Sequence, residues 1–281
     1  MQIVKTIKEV REIIKDWKKK GCTIGFVPTM GYLHEGHKSL IIKARENNDR
    51  VVVSIFVNPM QFSPNEDLAN YPRDLEADVK LCELVGVDMI FAPDPEEMYD
   101  EGFCSYVDMS VLTEDLCGVT RPIHFRGVCT VVNKLFNIIT PDNAYFGQKD
   151  AQQLAVIKRM VKDLNMDINI VGCPIIREDD GLAKSSRNTY LSPDERKAAL
   201  ILSKAVKLGI NLASEGERNS SVIISKMKAL IETEPLAKID YVKIVDICSI
   251  KPIDVIDRTV LAAMAVYIGK TRLIDNFIFE V

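Results

Sequence analysis

The chain has 281 residues and a formal net charge of −4, from 36 Lys and Arg against 40 Asp and Glu. Hydrophobic residues make up 47% and charged residues 27% of the sequence, which is typical of a globular protein and excludes a disordered or collagen-like chain. The mildly acidic balance lacks the excess of basic residues that marks a general nucleic-acid binder. No apolar stretch reaches the roughly 18 residues of a membrane-spanning helix. We therefore expect partners other than nucleic acids and membranes.

The seven cysteines are scattered, odd in number and never arranged as a CxxC pair. Such spacing is typical of reduced thiols in a cytosolic protein and differs from a disulfide framework or a zinc site. The first 20 residues carry charges throughout and lack the continuous apolar core of a secretory signal. The sequence therefore predicts a cytoplasmic protein.

Strand and helix signals alternate along the first 175 residues. Thr6 and Glu9 form a capping-box pattern, and apolar residues at helical spacing then run up to Gly21. The patterns predict strands at 23–27, 51–57, 88–92, 143–146 and 168–171, helices from about 35 and over 72–85, 126–139 and 150–164, and an irregular stretch from 93 to about 120. Such alternation predicts right-handed βαβ units and a parallel sheet.

The pattern changes after Arg177, where a polar segment begins. The sequence SPDE at 192–195 then combines a helix cap, an early proline and a glutamate at the third helical position. We expect helices over 193–213 and 220–232 and strands over 240–247, 260–268 and 272–281. The predicted fold is α/β, with a Rossmann-like doubly wound parallel sheet over residues 1–176 and a smaller α+β domain over 177–281.

The segment PTMGYLHEGH (28–37) lies between the first predicted strand and its helix. Ligands of doubly wound sheets bind beyond the carboxyl ends of the strands. His34 and His37 share one face of the first helical turn, where imidazoles and backbone N–H groups can donate to phosphate oxygens. The alternative is a helix cap with two surface histidines.

Two further segments carry neutral amides and a cation. In VSIFVNPMQF (53–62), Asn58 and Gln61 suit hydroxyls, carboxylates or ribose, or else form a turn in solvent. In FGQKDAQQL (146–154), Lys149 supplies a positive charge, Asp150 can cap a helix, and Gln153 faces the same edge. The alternative for Lys149 is a solvated surface residue.

The segment AKSSRN (183–188) places two cations and two hydroxyls within four residues, which suits a triphosphate, although a polar linker is the alternative. RPIHFRGV (121–128) adds Arg121, His124 and Arg126, which could equally form a basic helix cap. Most acidic clusters are expected to be solvated, with Asp78 as a candidate ligand for magnesium.

Taken together, these segments resemble the pantothenate synthetase (pantoate–β-alanine ligase, AMP-forming) family. The resemblance is carried by PTMGYLHEGH, VSIFVNPMQF, YPRDLEAD (71–78), HFRGV (124–128), FGQKDAQQL and GLAKSSRN (181–188), in order and spacing over the first 190 residues. It implies that pantoate attacks the α-phosphorus of Mg-ATP to give pantoyl adenylate, and that β-alanine then displaces AMP to give pantothenate, a step of coenzyme A biosynthesis. Two positions depart from the family pattern, Ile123 in place of Gly and Lys184 in place of Met or Leu.

The resemblance also implies the roles of individual residues. The catalytic set is His34, His37 as proton donor, Lys149 and Arg187. The ATP-binding set is Met30, Gly31, Tyr32, Leu33, His34, Glu35, Gly36, His37, Gly147, Gln148, Lys149, Asp150, Ile176, Lys184, Ser185, Ser186 and Arg187. Pantoate and β-alanine are assigned to Asn58, Gln61 and Gln153. The resemblance further implies Mg²⁺ accompanying ATP, a homodimer, a sheet like that of nucleotidylyltransferases and class I synthetases, and a C-terminal lid. The segment 178–188 is expected to be mobile without nucleotide.

Two other classes of function stay open. A nucleotidylyltransferase would pass a nucleotide to a phosphate substrate, but the neutral amides Gln61 and Gln153 favour a pocket for a hydroxy acid. A non-catalytic ATP-sensing module would not need paired histidines and a cationic loop.

Overall fold

A six-stranded parallel sheet organises the first part of the chain. The computed structural model describes residues 1–64 and 66–281. The strands are β1 (Gln2–Val4), β2 (Ile24–Thr29), β3 (Arg50–Ile55), β4 (Met89–Phe91), β5 (Asn143–Gly147) and β6 (Asn169–Cys173). They lie in the order β1-β4-β3-β2-β5-β6, and all neighbours are parallel. This arrangement confirms the predicted doubly wound sheet.

Helices connect and flank these strands. They are α1 (Ile7–Lys19), α2 (Glu35–Asn47), α3 (Leu75–Leu84), α4 (Pro95–Met98), α6 (His124–Ile139) and α7 (Ala151–Asp163), whereas the short helix α5 (Cys117–Thr120) belongs to a second unit. The predicted capping box of Thr6 and Glu9 starts α1, and Asp74 caps α3 by accepting from the N–H of Ala77. Helix α1 packs against α6, whereas α2 packs against α3. In the described part of the chain, no helix is long and apolar enough to cross a membrane.

The core of the sheet follows from its β-branched strands. Val51, Val52 and Val53 in β3 are fully buried because β3 lies between β2 and β4 and is covered on both faces. The buried hydroxyl of Tyr145 on β5 accepts a hydrogen bond of 2.8 Å from the side-chain amide of Asn48. The polar tip of this large ring is therefore satisfied inside the core.

The strand order places a switch point between β2 and β5. From β2 the chain continues through β3 and β4 on one side, whereas β5 and β6 lie on the other side. Crevices at such points open at the carboxyl ends of the strands, where ligands bind in this class of fold. Strand β2 ends at Thr29 and β5 ends at Gly147, so the segments 28–37 and 146–154 begin at this edge of the sheet.

A second compact unit consists of Ser110–Thr120, Lys149–Ala155 and Ile175–Val281. It contains α8 (Pro193–Ala198), α9 (Leu200–Ser214), α10 (Ser220–Ile231), β7 (Ala237–Asp246), β8 (Val260–Ile268) and β9 (Thr271–Phe279). The three strands form an antiparallel sheet in the order β7-β8-β9, against which α9 and α10 pack. Its apolar core includes Leu202, Met227 and Met264. The expected small α+β fold is confirmed.

Three local expectations were wrong. The strand β1 was missed because three residues at a sheet edge carry little pattern, so the strand predicted at 88–92 is the fourth. The single helix expected over 193–213 is divided at Ala199 into α8 and α9. The stretch predicted to be irregular contains the four-residue helices α4 and α5, which are too short for periodicity to detect.

Candidate active site

Two histidines cap the helix that follows β2. His34 is the N-cap of α2, and its Nδ1 accepts a hydrogen bond of 3.1 Å from the N–H of Gly36. The N–H of His34 in turn donates to Nδ1 of His37 at 3.3 Å. The ring centroids are 4.1 Å apart. Because Nδ1 of each ring accepts a hydrogen bond, each neutral ring carries its own proton on Nε2.

The turn between β2 and α2 is held by a buried carboxylate. Asp78 on α3 is 2% exposed, and its two oxygens accept from the N–H groups of Tyr32 at 2.9 Å and Leu33 at 2.6 Å. Gly31 and Tyr32 both have positive φ, and a Cβ atom on Gly31 would lie 3.0 Å from Oδ2 of Asp78. Burial raises the pKa of Asp78, although these two N–H groups partly offset it.

The backbone donors of this turn are used inside the protein. Gly31 donates to the Thr29 hydroxyl, Tyr32 and Leu33 donate to Asp78, and His34 and Gly36 donate within the capping box. These five N–H groups therefore have acceptors inside the protein, and the prediction that backbone N–H groups of this turn bind an anion stays a prediction. Nδ1 of each imidazole faces a backbone N–H, so the proton of each neutral ring lies on Nε2.

Replacing Asp78 with Asn should lower the free energy of unfolding by about 1–3 kcal/mol, because the new NH₂ group would face a backbone N–H and leave it unsatisfied. A carboxyl group whose pKa is raised on folding contributes stability below its unfolded pKa and loses that contribution as the pH rises through the folded pKa. Asn does not titrate, so the measured destabilisation should be largest near pH 4 and decrease towards pH 7. Denaturant titrations at several pH values test this.

Asp74→Asn provides the matched control on the same helix, since Asn and Asp are comparable N-caps. A destabilisation by Asp78→Asn that is equal at every pH, or no larger than that of the control, would contradict the role of Asp78 in holding the turn between β2 and α2.

Asn58 and Gln61 lie together just beyond β3. A short 3₁₀ turn, Pro59–Gln61, follows Asn58, whose side chain caps it. Nδ2 of Asn58 donates to Oε1 of Gln61 at 3.1 Å, and Nε2 of Gln61 lies 3.0 Å from Sδ of Met30. Within the first unit, the amides of Asn58 and Gln61 thus lie next to Met30, which belongs to the turn between β2 and α2. The alternative that these amides lie in solvent is wrong, since both are buried.

The start of α6 and the residues just before it contact the segment that contains the 3₁₀ turn Pro59–Gln61. Nδ1 of His124 faces the carbonyl oxygen of Gln61 at 3.1 Å and donates to it. Arg121 makes a two-pronged ion pair with Glu66, with distances of 2.6 and 3.1 Å. A Cβ atom on Gly127 would lie 2.4 Å from the carbonyl oxygen of Met60, so only glycine permits this approach.

Gly127→Ala should therefore destabilise the protein by about 1–3 kcal/mol through overpacking against backbone, even though alanine favours a helix. Thermal or denaturant unfolding measures the effect. Gly102→Ala is the control, because the nearest atom to its added Cβ is 3.9 Å away. Equal stability of the two variants would mean that the turn can move away from α6 at little cost.

The two adjacent glutamines of α7 have different surroundings. The Gln152 side chain is buried, accepts from the N–H of Cys117 at 2.9 Å and donates to the carbonyl oxygens of Leu112 and Asp115. Its amide therefore holds the segment 110–120 within the second unit. Gln153, singled out in the sequence for its position one turn into the helix, is only half-buried, which is consistent with a ligand-facing role.

Adjacent residues of β9 hold the two cationic segments of the second unit. Nδ2 of Asn276 donates to the carbonyl oxygen of Lys149 at 2.8 Å. Asp275 accepts two hydrogen bonds from Arg177, at 2.7 and 2.9 Å. The 3₁₀ turn Ser186–Tyr190 also packs against β9. The second unit thus brings the Lys149 loop close to the segment that carries Arg187.

The segment 176–188 has a structure of its own. Lys184 N–H donates to the carbonyl oxygen of Ile176, Arg177 pairs with Ala183 in an antiparallel bridge, and Ser185 caps the turn by accepting from the N–H of Arg187 at 3.3 Å. Burial alone would raise the pKa of Glu178, but hydrogen bonds from Arg196 and Asn188 hold that pKa below its ordinary value. Leu182 and Ala183 are buried. The segment is thus a braced hairpin, and its mobility without nucleotide stays a prediction.

The carboxylates, histidines and cysteines of the protein were candidate ligands for a metal ion. In residues 1–64 and 66–281, no group of three or more His, Cys, Asp and Glu side chains is placed to hold a metal ion. Both carboxylate oxygens of Asp78 already accept backbone N–H groups. The structure thus favours a loop-holding role for Asp78, and its role as a magnesium ligand stays a prediction.

Sequence reasoning missed several residues that shape this site. The sequence indicates a solvated acid or a magnesium ligand at Asp78, with no role in the β2–α2 turn, and it indicates no role for Gly127 or Gln152. A glycine within an otherwise apolar helix was the one available signal, since it often marks a close backbone approach.

Comparisons with known proteins agree over the whole chain. Residues 2–278 match the family model described as pantoate-beta-alanine ligase. A pantothenate synthetase from Ruminiclostridium cellulolyticum is 67% identical over 279 residues, covering 99% of each chain. The crystal structure of a pantothenate synthetase from Thermus thermophilus has a TM-score of 0.94 at 44% identity, again covering 99% of each chain. A pantoate-beta-alanine ligase from Francisella tularensis, solved with beta-gamma ATP and beta-alanine, has a TM-score of 0.81 at 36% identity and covers 99% of this chain and 97% of that one.

A doubly wound sheet whose switch point carries a pair of imidazole donors defines an enzyme of the Rossmann-like, nucleotide-using class. The matches with known proteins, which cover nearly the full chain, specify the family within that class. The chain belongs to the pantoate–β-alanine ligase family, and it is an ATP-dependent ligase that forms pantothenate.

Proposed function

We propose that the reaction proceeds in two steps through an enzyme-bound pantoyl adenylate. A carboxylate oxygen of pantoate attacks the α-phosphorus of ATP, and the bond to the bridging oxygen of pyrophosphate breaks. The amine of β-alanine then attacks the acyl carbon, loses a proton and expels AMP to give pantothenate. The observation that carries this proposal is the histidine capping box at the β2–α2 turn, which orients both rings with Nδ1 towards the backbone and so places the ring proton on Nε2.

The histidines act on the phosphates. Two anions must meet in the first step, and negative charge builds up on the pyrophosphate that leaves. Nε2–H donors of His34 and His37, held in place by backbone hydrogen bonds, stabilise that charge without reorganising. His37 is the proposed proton donor, and Lys149 and Arg187 supply positive charge.

The remaining assignments follow the resemblance. Pantoate is assigned to Gln61 and Gln153, whose neutral amides can bind hydroxyl and carboxylate oxygens without a fixed charge. The remaining proposed ATP contacts are Met30, Gly31, Tyr32, Leu33, Glu35, Gly36, Gly147, Gln148, Asp150, Ile176, Lys184, Ser185 and Ser186. The capped turn at Ser185 supports a role for its neighbours in phosphate binding, because it fixes the backbone next to Arg187.

Magnesium is proposed to arrive with ATP as part of the substrate. Mg²⁺ in nucleotide sites is held chiefly by phosphate oxygens and water, with one or two carboxylates. That arrangement is compatible with a chain whose described residues lack a cluster of metal ligands. The ion would neutralise phosphate charge in the first step.

We also propose roles for the two domains, a homodimeric assembly and a cytoplasmic location. Residues 1–176 form the nucleotide- and pantoate-binding domain, and 177–281 form a lid that limits water access to the adenylate. The enzyme is a homodimer, which light scattering can test. A cytoplasmic location is supported by seven cysteines that are all free thiols.

Pantoate-dependent exchange of labelled pyrophosphate into ATP, without β-alanine, tests the proposed function. We expect exchange with pantoate and none without it. A nucleotidylyltransferase would exchange only with a phosphate-bearing acceptor, and a non-catalytic ATP sensor would show no exchange with either. Each of those two results would overturn the proposal.

A further inference from the structure

A buried chain of hydrogen bonds leads from Tyr99 to Gln61. The Tyr99 hydroxyl donates to Oδ1 of Asn58 at 2.8 Å, and Nδ2 of Asn58 donates to Oε1 of Gln61 at 3.1 Å. Asn58 is 1% and Gln61 7% exposed, so water does not compete for these bonds. Tyr99 follows the short helix α4 and is far from both glutamine motifs in the sequence.

The amide of Asn58 is fully used within the protein. Besides the two bonds above, Oδ1 accepts from the N–H of Met60 at 3.3 Å and Nδ2 donates to the carbonyl oxygen of Gly127 at 3.1 Å. A primary amide offers two donors and an oxygen with two lone pairs, so these four contacts exhaust it. Asn58 therefore has no group left for direct substrate contact and acts on the site through its neighbour.

This arrangement fixes which way the Gln61 amide points. Its oxygen accepts from Asn58, and its NH₂ group lies 3.0 Å from the thioether sulfur of Met30. A thioether is a weak acceptor, so the NH₂ group is the part of Gln61 best able to donate to a ligand. A flipped amide would turn a carbonyl oxygen towards a carboxylate and repel it.

Tyr99 contributes to the orientation of Asn58, together with the N–H of Met60 and the carbonyl oxygen of Gly127, which favour the same amide rotamer. The hydroxyl is held among aromatic rings, with the centroid of Phe103 at 4.9 Å and that of Phe56 at 6.2 Å from the centroid of the Tyr99 ring. Burial raises the pKa of Tyr99, so the hydroxyl keeps its proton and remains a donor. A donor directed at Oδ1 favours the amide rotamer in which Nδ2 faces Gln61.

We propose that Tyr99 is a positioning residue for pantoate recognition, acting through Asn58 to present the NH₂ group of Gln61 to the substrate. The inference rests on the proposed role of Gln61 in binding pantoate. It assigns a function to a residue outside every sequence motif noted above.

Tyr99→Phe removes only the hydroxyl and tests the proposal. We expect the KM for pantoate to rise about 5- to 50-fold, within the range of about 5- to 150-fold for a buried polar group left without its partner, with little change in the KM for ATP. Tyr106→Phe is the control, since Tyr106 is exposed and packs edge to face against Phe103 in the same aromatic group. Equal changes in the KM for pantoate and the KM for ATP, or an unchanged KM for pantoate, would overturn the proposal.

A double variant separates this proposal from the proposed role of Gln61. In a Gln61→Ala background, Tyr99→Phe should cause no further rise in the pantoate KM. If Gln61→Ala alone leaves that constant unchanged, the role of Gln61 fails. If Gln61→Ala raises it and Tyr99→Phe raises it again by the same factor, only the Tyr99 proposal fails.

Asn58→Asp gives a second readout that does not depend on the stability of Tyr99→Phe. It replaces the donor that faces Oε1 of Gln61 with an acceptor. The same selective rise in the pantoate KM should appear and be larger. An Asn58→Asp enzyme with the wild-type ratio of pantoate to ATP constants would also overturn the proposal.

Discussion

Alanine in place of His34 or His37 should lower the rate of adenylate formation by a factor of about 10²–10⁴. The capping box fixes both rings with Nδ1 towards the backbone, so the lost group in each variant is an Nε2–H donor already placed for charge stabilisation. Pantoate-dependent exchange of pyrophosphate into ATP measures this step without β-alanine. Both the donor and the helix cap are removed by alanine, so a second pair of variants is needed to separate them.

His34→Asn and His37→Gln provide that pair. Asn is a preferred N-cap and Gln is a preferred third residue of a capping box, so both substitutions can preserve the start of α2. The Asn amide is too short to place a donor at the Nε2 position, and the Gln amide can donate a hydrogen bond there but cannot transfer a proton. We expect near-normal unfolding temperatures together with exchange rates as low as those of the alanine variants. Normal exchange in these two variants would remove the imidazoles from the mechanism.

Loss of the Gln61 side chain should have the second-largest effect. Gln61→Ala leaves buried polar atoms of pantoate unpaired, at a cost of about 1–3 kcal/mol, which corresponds to a rise of about 5- to 150-fold in the KM for pantoate. The KM for ATP should change little, and Gln153→Ala should behave in the same way. Steady-state kinetics with each substrate varied in turn measures both constants.

Gln152→Ala is the matched control for the glutamine variants. Its amide makes three hydrogen bonds to the segment 112–117, so its loss should lower stability while sparing the ratio of substrate constants. Calorimetry that showed ATP binding lost and pantoate binding retained in Gln61→Ala would reverse the assignment of the pocket.

Local patterns predicted the parts of the fold that depend on neighbours in sequence. The run VVV at 51–53 predicted a central strand because β-branched residues without polar alternation fit a sheet covered on both faces. Thr6 with Glu9 predicted the start of α1 because both halves of a capping box lie within one turn. The break at Ala199 was not predictable in this way, since alanine favours a helix.

The site was predictable in its residue types and less so in its hydrogen bonds. His34, His37 and Gln61 were found from their positions after strands. The role of Asp78 depends on a loop 45 residues away in sequence, and the pattern of acids on α3 indicated solvent instead. The amide of Asn58 suited a ligand as well as a turn, and only its four partners show that it is committed to the protein.

Pantoate is proposed to be activated by attack of its carboxylate on the α-phosphorus of ATP before the amine of β-alanine attacks the acyl carbon. Pantoate labelled with ¹⁸O at both carboxylate oxygens tests it, with mass spectrometry of the products formed with ATP and β-alanine. We expect one ¹⁸O in the phosphoryl group of AMP and the other in the new amide carbonyl of pantothenate. Label in inorganic phosphate, or AMP without label, would contradict it.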